Sequence, residues 1–287
     1  MVVPANNLYS IVNNGASGPI FLSNLFGISG PRFVACLMFT LWSSLSQAEA
    51  DPAQSTPDCV VLLHGLWRDE RAMSFIDKQL QQSGYQTINV SYPSMQESLP
   101  VLADRYVSAA VQACRNLSSP RIHFVTHSMG GILARLYLQT HSLPQGSRMV
   151  MLSPPNHGSE WVDWMRDSVW MSALLGPAGG QLATDSSLLR ELKPVALEVG
   201  VITGSGGRGW FGMPVPNDNA VTVASARLPE MSDFLVVPLN HVSIRRSEPV
   251  VQQMLSFLRQ GRFLVEPSAP PGDAVALQTS AVSVVAD

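Results

Sequence analysis

Charge is what this 287-residue chain has least of. Asp, Glu, Lys and Arg make up 14% of it, the formal net charge is −3, and Lys and Arg nowhere form a run. A nucleic-acid partner needs a basic face, so that class is excluded. The balance fits an enzyme for small neutral or apolar ligands. No internal repeat is present, and the histidines lack a metal-ligand spacing such as His-Glu-x-x-His, so neither metal nor organic cofactor is expected. With 46% hydrophobic residues the chain can bury one substantial core, so one domain plus appendages is expected.

Acid is missing altogether from residues 1–48, whose only charged side chain is Arg32. After Arg32 come an apolar run, Phe33 to Leu45, and Ser46-Gln47-Ala48-Glu49-Ala50. This is the order of a signal peptide ending Ala-x-Ala, and the run is short for a membrane span. Cleavage after Ala50 leaves a mature chain starting at Asp51. The 31 residues before Arg32 exceed an ordinary n-region. Either the true start lies downstream of Met1, or 1–50 is retained as an anchor that associates with a membrane. Export, periplasmic or secreted, is the expectation.

Cysteine is nearly as scarce, with three residues. Cys36 would leave with the leader, so Cys59 and Cys114 remain, either bridged or as two buried thiols.

From residue 51 to 262 apolar runs alternate with helical patterns. Strands are expected at Cys59–Leu63, Gln86–Tyr92, Arg121–His127, Arg148–Ser153, Leu197–Thr203 and Phe234–Leu239. Helices are expected from about Asp69, over Leu99–Arg115, after Ser128, and after Ser247 with Pro249 in the first turn and Gly261 as the stop. Strands alternating with helices mean an α/β fold with a mostly parallel sheet covered on both faces. Residues 159–195 interrupt the alternation as a small insertion above the sheet's carboxyl edge. Their tryptophans, Trp161 and Trp164 among them, suit a pocket wall or the insertion's own core equally. Residues 263–287 show no period and read as a flexible tail. Gly204 to Gly209 contains Gly-x-Gly-x-x-Gly, but no helix follows, so it is a loop.

The most informative stretch is Arg121-Ile122-His123-Phe124-Val125-Thr126-His127-Ser128-Met129-Gly130-Gly131. A strand runs into a tight turn at Ser128, and a glycine pair opens an amphipathic helix, which projects the hydroxyl as a nucleophile. An ordinary N-cap serine needs neither the strand nor the glycine pair. An activated serine needs a base, an acid to orient it, and donors for the oxyanion. His241 follows the last strand at the sheet's carboxyl end and is the expected base, with His157 as runner-up. Asp218, in a turn after the preceding strand, is preferred as acid over Asp185 and Asp233. The amides of Met129 and Leu66 are placed as oxyanion donors.

Val61-Leu62-Leu63-His64-Gly65-Leu66, Thr126 to Gly131, Asn217-Asp218-Asn219 and Asn240-His241 together resemble the bacterial lipase/esterase branch of the α/β-hydrolase superfamily. The resemblance covers about residues 58–262. It implies Ser128 as nucleophile, His241 as base, Asp218 as acid and Leu66 and Met129 as the oxyanion hole. Trp67, Trp161 and Trp164 are the candidate substrate-binding residues. Related sequences usually carry glycine at the position of Asn219 and often at that of Thr126; Asn tolerates positive φ. The expected activity is cleavage of small-molecule or lipid carboxylic esters. Acyl transfer, thioester or amide hydrolysis would use the same triad, and a catalytically silent scaffold that binds a lipid or partner is the reading outside enzymes.

Overall fold

The computed structural model describes residues 56–209 and 213–264. The leader with Cys36, and the tail from residue 265, lie outside the described residues. Six strands form one parallel sheet: β1 (Cys59–Leu63), β2 (Gln86–Val90), β3 (Ile122–His127), β4 (Arg148–Leu152), β5 (Glu198–Gly204) and β6 (Asp233–Val237). Their order is β2-β1-β3-β4-β5-β6. The chain moves from β1 outward to β2, returns to the other flank of β1 with β3, and then continues outward. The crossovers therefore diverge between β1 and β3, and it is at such a switch point that an open sheet leaves a crevice at its carboxyl edge.

The connections are α1 (Ser74–Gln82), α2 (Leu99–Leu102), α3 (Ser108–Asn116) and α4 (Met129–Leu138), then α5 (Glu160–Arg166), α6 (Val169–Ser172), α7 (Gly176–Gly180) and α8 (Ser187–Glu191) in the insertion, and finally α9 (Val223–Ala226) and α10 (Glu248–Gln260). β1 is buried along its whole length, which is why it reads as an unbroken apolar run. Its alternate residues feed two cores. Val60 and Leu62 join Ile76, Leu80, Met254 and Phe257 from α1 and α10. Val61 and Leu63 join Val111, Ile132 and Leu133 from α3 and α4. Gly200 in β5 makes room for Phe257, since a Cβ there would lie 2.6 Å from the ring. Burying that ring contributes about 1.5–3 kcal/mol.

Several boundaries differ from expectation for local reasons. The helix expected near Asp69 begins as a 3₁₀ turn, Glu70–Met73, whose cap is the Asp69 carboxylate accepting from the Arg71 amide at 3.0 Å. The Leu99–Arg115 helix is divided by a π-helical turn, Ala103–Val107. The second strand stops at Val90, and Tyr92 leaves the sheet to stack on His64 at 3.8 Å. Ser247 stands at the N-cap of α10 without a side-chain cap bond, and Gly261 ends the helix in the left-handed region at φ 75°. Phe263, which the sequence reading gives to the tail, is buried against Phe257.

Cys59 and Cys114 form a disulfide. It joins the start of β1 to the end of α3, at the sheet edge opposite the carboxyl ends. It closes a sequence separation of 55 residues, for which chain-entropy reasoning gives about 4 kcal/mol of stabilisation. The Cys59→Ser, Cys114→Ser double variant is expected to unfold at a denaturant midpoint lowered accordingly, with the native near-UV circular dichroism of the folded fraction unchanged. Chemical denaturation followed by fluorescence reads the first, and a near-UV spectrum the second.

Candidate active site

Ser128 sits between β3 and α4 with φ 54° and ψ −126°, a conformation that costs an L-residue energy and is held by its surroundings. Positive φ recurs around the same rim at Trp67 (59°), Ser153 (48°) and Asn219 (81°). Asn219 thus uses the tolerance that let it stand for glycine. The elbow is held by close backbone contact. A Cβ on Gly130 would lie 2.5 Å from the Leu63 carbonyl oxygen and 2.8 Å from that of His64. One on Gly131 would meet the mobile methyl end of Met151 at 2.6 Å. Gly130→Ala is therefore expected to cost several kcal/mol, in the range of an overpacked core or above, and Gly131→Ala much less. Thermal melts of the two variants check the contrast.

The side chains of His241 and Asp218 meet. The His241 Nδ1–H donates to Asp218 Oδ2 at 2.7 Å. Asp218 is fully buried, and its Oδ1 accepts from the amides of Ala220 (2.9 Å) and Val221 (2.8 Å). Burial alone would raise this carboxyl. The His241 imidazole outweighs that by charge and hydrogen bond, aided by Ser153 and the Val221 amide, so the carboxyl lies below its usual range. The Ser153 hydroxyl makes no hydrogen bond of ordinary geometry.

The His241 backbone is pinned on both sides. Its N–H donates to the Asp218 carbonyl at 2.9 Å. Its carbonyl takes a bond from His127 Nε2 at 2.8 Å. Because a carbonyl only accepts, His127 carries its proton on Nε2. Burial pushes the His127 imidazole well below the ordinary histidine range, and the neighbouring His241, whose ring lies 4.7 Å away, acts the same way. His127 is therefore neutral at pH 7.

Ser128, His241 and Asp218 line one cavity of about 260 Å³, together with Leu66, Trp67 and Trp161. The amides of Leu66 and Met129 find no protein acceptor among the described residues. Trp67 and Trp161 meet edge to face at 5.1 Å. Trp164 is half-buried against the core and is not on the cavity wall, so Trp161 and Trp164 divide between pocket and packing, while Trp170 is 87% exposed. His157 is exposed, and its Nδ1–H donates to the Ser225 carbonyl at 3.1 Å, away from the cavity. Asp185 pairs with Arg166 at 2.6 Å on the surface, and Asp233 opens β6 at its far end. Residues 205–209 run as irregular chain against Asn217 and Leu239.

Two contributors escape the sequence reading. His127 is legible only as the residue before the serine. Ser159 is readable as the N-cap of α5, but its hydroxyl also donates to the Ala220 carbonyl at 2.6 Å and so ties the insertion to the loop of Asp218. Among the described residues, no group of three or more His, Cys, Asp or Glu is disposed to hold a metal ion, and no helix is long and apolar enough to cross a membrane.

The fold has solved counterparts. A lipase of Bacillus licheniformis in its mature form is 20% identical with a TM-score of 0.61, over 75% of this chain and 95% of that one. Lipase B of Aspergillus fumigatus is 14% identical with a TM-score of 0.56, over 74% and 56%. An esterase of Pyrococcus furiosus is 17% identical with a TM-score of 0.52, over 72% and 82%. At such identities the likeness is one of fold. No curated protein sequence matches. The model of the alpha/beta hydrolase family matches residues 60–281, which takes in all of the strands and helices described above except the first residue of β1. The chain belongs to the alpha/beta hydrolase family.

Proposed function

We propose that the protein hydrolyses carboxylic esters through an acyl-serine intermediate. Ser128 Oγ attacks the carbonyl carbon while His241 Nε2 takes its proton, and Asp218 holds the imidazole with its proton on Nδ1. The amides of Leu66 and Met129 donate to the oxyanion. Its collapse expels the alcohol, which leaves with the proton from His241. Water then attacks the acyl-serine by the same route and releases the acid. The observation that carries the reading is the 2.7 Å bond from His241 Nδ1 to Asp218, made on the wall of the cavity that Ser128 also lines.

The cavity, at about 260 Å³, lies below the span usual for small-molecule clefts, about 300–1,000 Å³. This supports short acyl groups over long ones. Esters of increasing chain length, assayed on protein whose Ser128 is titrated with a fluorophosphonate, test both points. Activity that climbs steadily with chain length would remove the short-ester reading, and a label on any other residue would remove Ser128. Export is part of the same proposal. The leader-like order of residues 32–50 supports it, as does the Cys59–Cys114 disulfide, since such bonds persist in oxidising compartments.

A further inference from the structure

Two cations on the cavity wall take no part in the triad chemistry, Arg68 and Arg245. Arg68 follows the oxyanion loop and is exposed. Arg245 belongs to the turn after His241 and is only 4% exposed. Its Nη1 donates to the Ala72 carbonyl at 2.7 Å, while its buried Nε has no partner. Among the described residues neither guanidinium forms an ion pair. The one carboxylate on the described cavity wall, Asp218, is already engaged by His241 and two amides. Burial lowers the Arg245 guanidinium, and the like charges of Arg246 and Arg68 act in the same direction. Arginine stays protonated regardless.

A buried cation with no counter-charge is costly to the fold. The tie to Ala72 does not account for it, because one bond to a carbonyl needs no charge and a neutral amide could make it. What the arrangement lacks is an anion, and Arg245 lines the same cavity as Ser128. We propose that Arg245, with Arg68 at the rim, forms a subsite for an anionic group, a phosphate or a carboxylate, carried by the ester substrate. This rests on the Ser128 hydrolase reading and narrows its substrate class. A guanidinium offers such a group paired N–H donors in a fixed plane, and a closed cavity strengthens the pairing relative to water. The low net charge of the whole chain points to neutral ligands; the placement of two of its arginines points the other way for this cavity.

The test compares kcat/KM on matched pairs of esters that differ in one charged group. One pair is mono-p-nitrophenyl succinate against p-nitrophenyl butyrate, and the other is an acylated glycerol phosphate against the same acylated glycerol. The native protein is expected to favour the anionic member of at least one pair by about ten- to a hundredfold, the scale of a hydrogen bond to a charged group. The pair that shows the preference tells carboxylate from phosphate. Arg245→Met should bring that ratio to about one. Since this variant also loses the tie to Ala72 and can fail to fold, Arg68→Gln at the exposed rim provides the second reading, with a ratio between the two. Ratios at or below one for both pairs in native protein whose Ser128 still takes a fluorophosphonate would overturn the subsite and leave the hydrolase standing. No labelling and no turnover of any ester would remove the Ser128 reading and the subsite with it.

Discussion

Ser128→Ala is expected to lower ester turnover by about a millionfold, the loss found when one member of a triad that acts as a unit is removed. Fluorophosphonate labelling should vanish with it. The expectation follows from the backbone at this position. With φ 54° and ψ −126°, the turn lifts one side chain into the cavity at the start of α4. A methyl group there keeps the fold and removes the attacking atom. The variant should melt close to the native protein, because Ser128 Oγ takes part in none of the hydrogen bonds that hold the elbow. Its amide bonds to the Leu152 carbonyl at 2.9 Å and is retained in alanine. Labelling equal to native protein would end the assignment of the nucleophile.

Asp218→Asn should cost about ten-thousandfold in kcat, the scale seen when the orienting acid of a triad becomes an amide. The direction can be worked out atom by atom. Oδ1 accepts from two backbone amides, Ala220 and Val221, so an asparagine must keep its carbonyl oxygen there. Its NH₂ then faces His241 Nδ1 and donates where the carboxylate accepted. The imidazole is forced to carry its proton on Nε2, where it can no longer take one from Ser128. The stability consequence has a definite sign. The folded-state carboxyl lies below its ordinary value of 3.8, so its ionised form stabilises the fold at any pH above that value. The contribution is lost as pH falls through the lower, folded-state value. Urea midpoints measured against pH should therefore show native protein ahead of Asp218→Asn at neutral pH, with the gap narrowing in acid. A gap that is constant down to the lowest pH at which the protein folds would show that the carboxyl is not held as described.

The parts of this molecule governed by local or periodic rules were open to reading from the chain. β1 is unbroken apolar sequence because both faces are covered, and Gly261 marks the end of α10 because that position takes φ 75°. Asp218 and His241 could be placed because each follows a strand at the edge where the sheet opens. What escaped depends on contacts between distant segments. Nothing near His127 announces a bond to the carbonyl of residue 241. Trp161 and Trp164 have the same chemistry three positions apart, yet one lines the cavity and the other packs inward. The disulfide stood between the two groups. Its cysteines could be located at one end of the sheet, but pairing them required β1 and α3 to be side by side.

The double pinning of residue 241 has a bearing on how the enzyme chooses what to cleave. With its main chain fastened from both directions, the imidazole is in place before any ligand arrives, and no closure is required to assemble the reacting groups. In the proposed ester hydrolysis, discrimination between one ester and another then falls to the walls, to the tryptophan pair and the guanidinium groups. Evolution could rework those without disturbing the machinery beneath them.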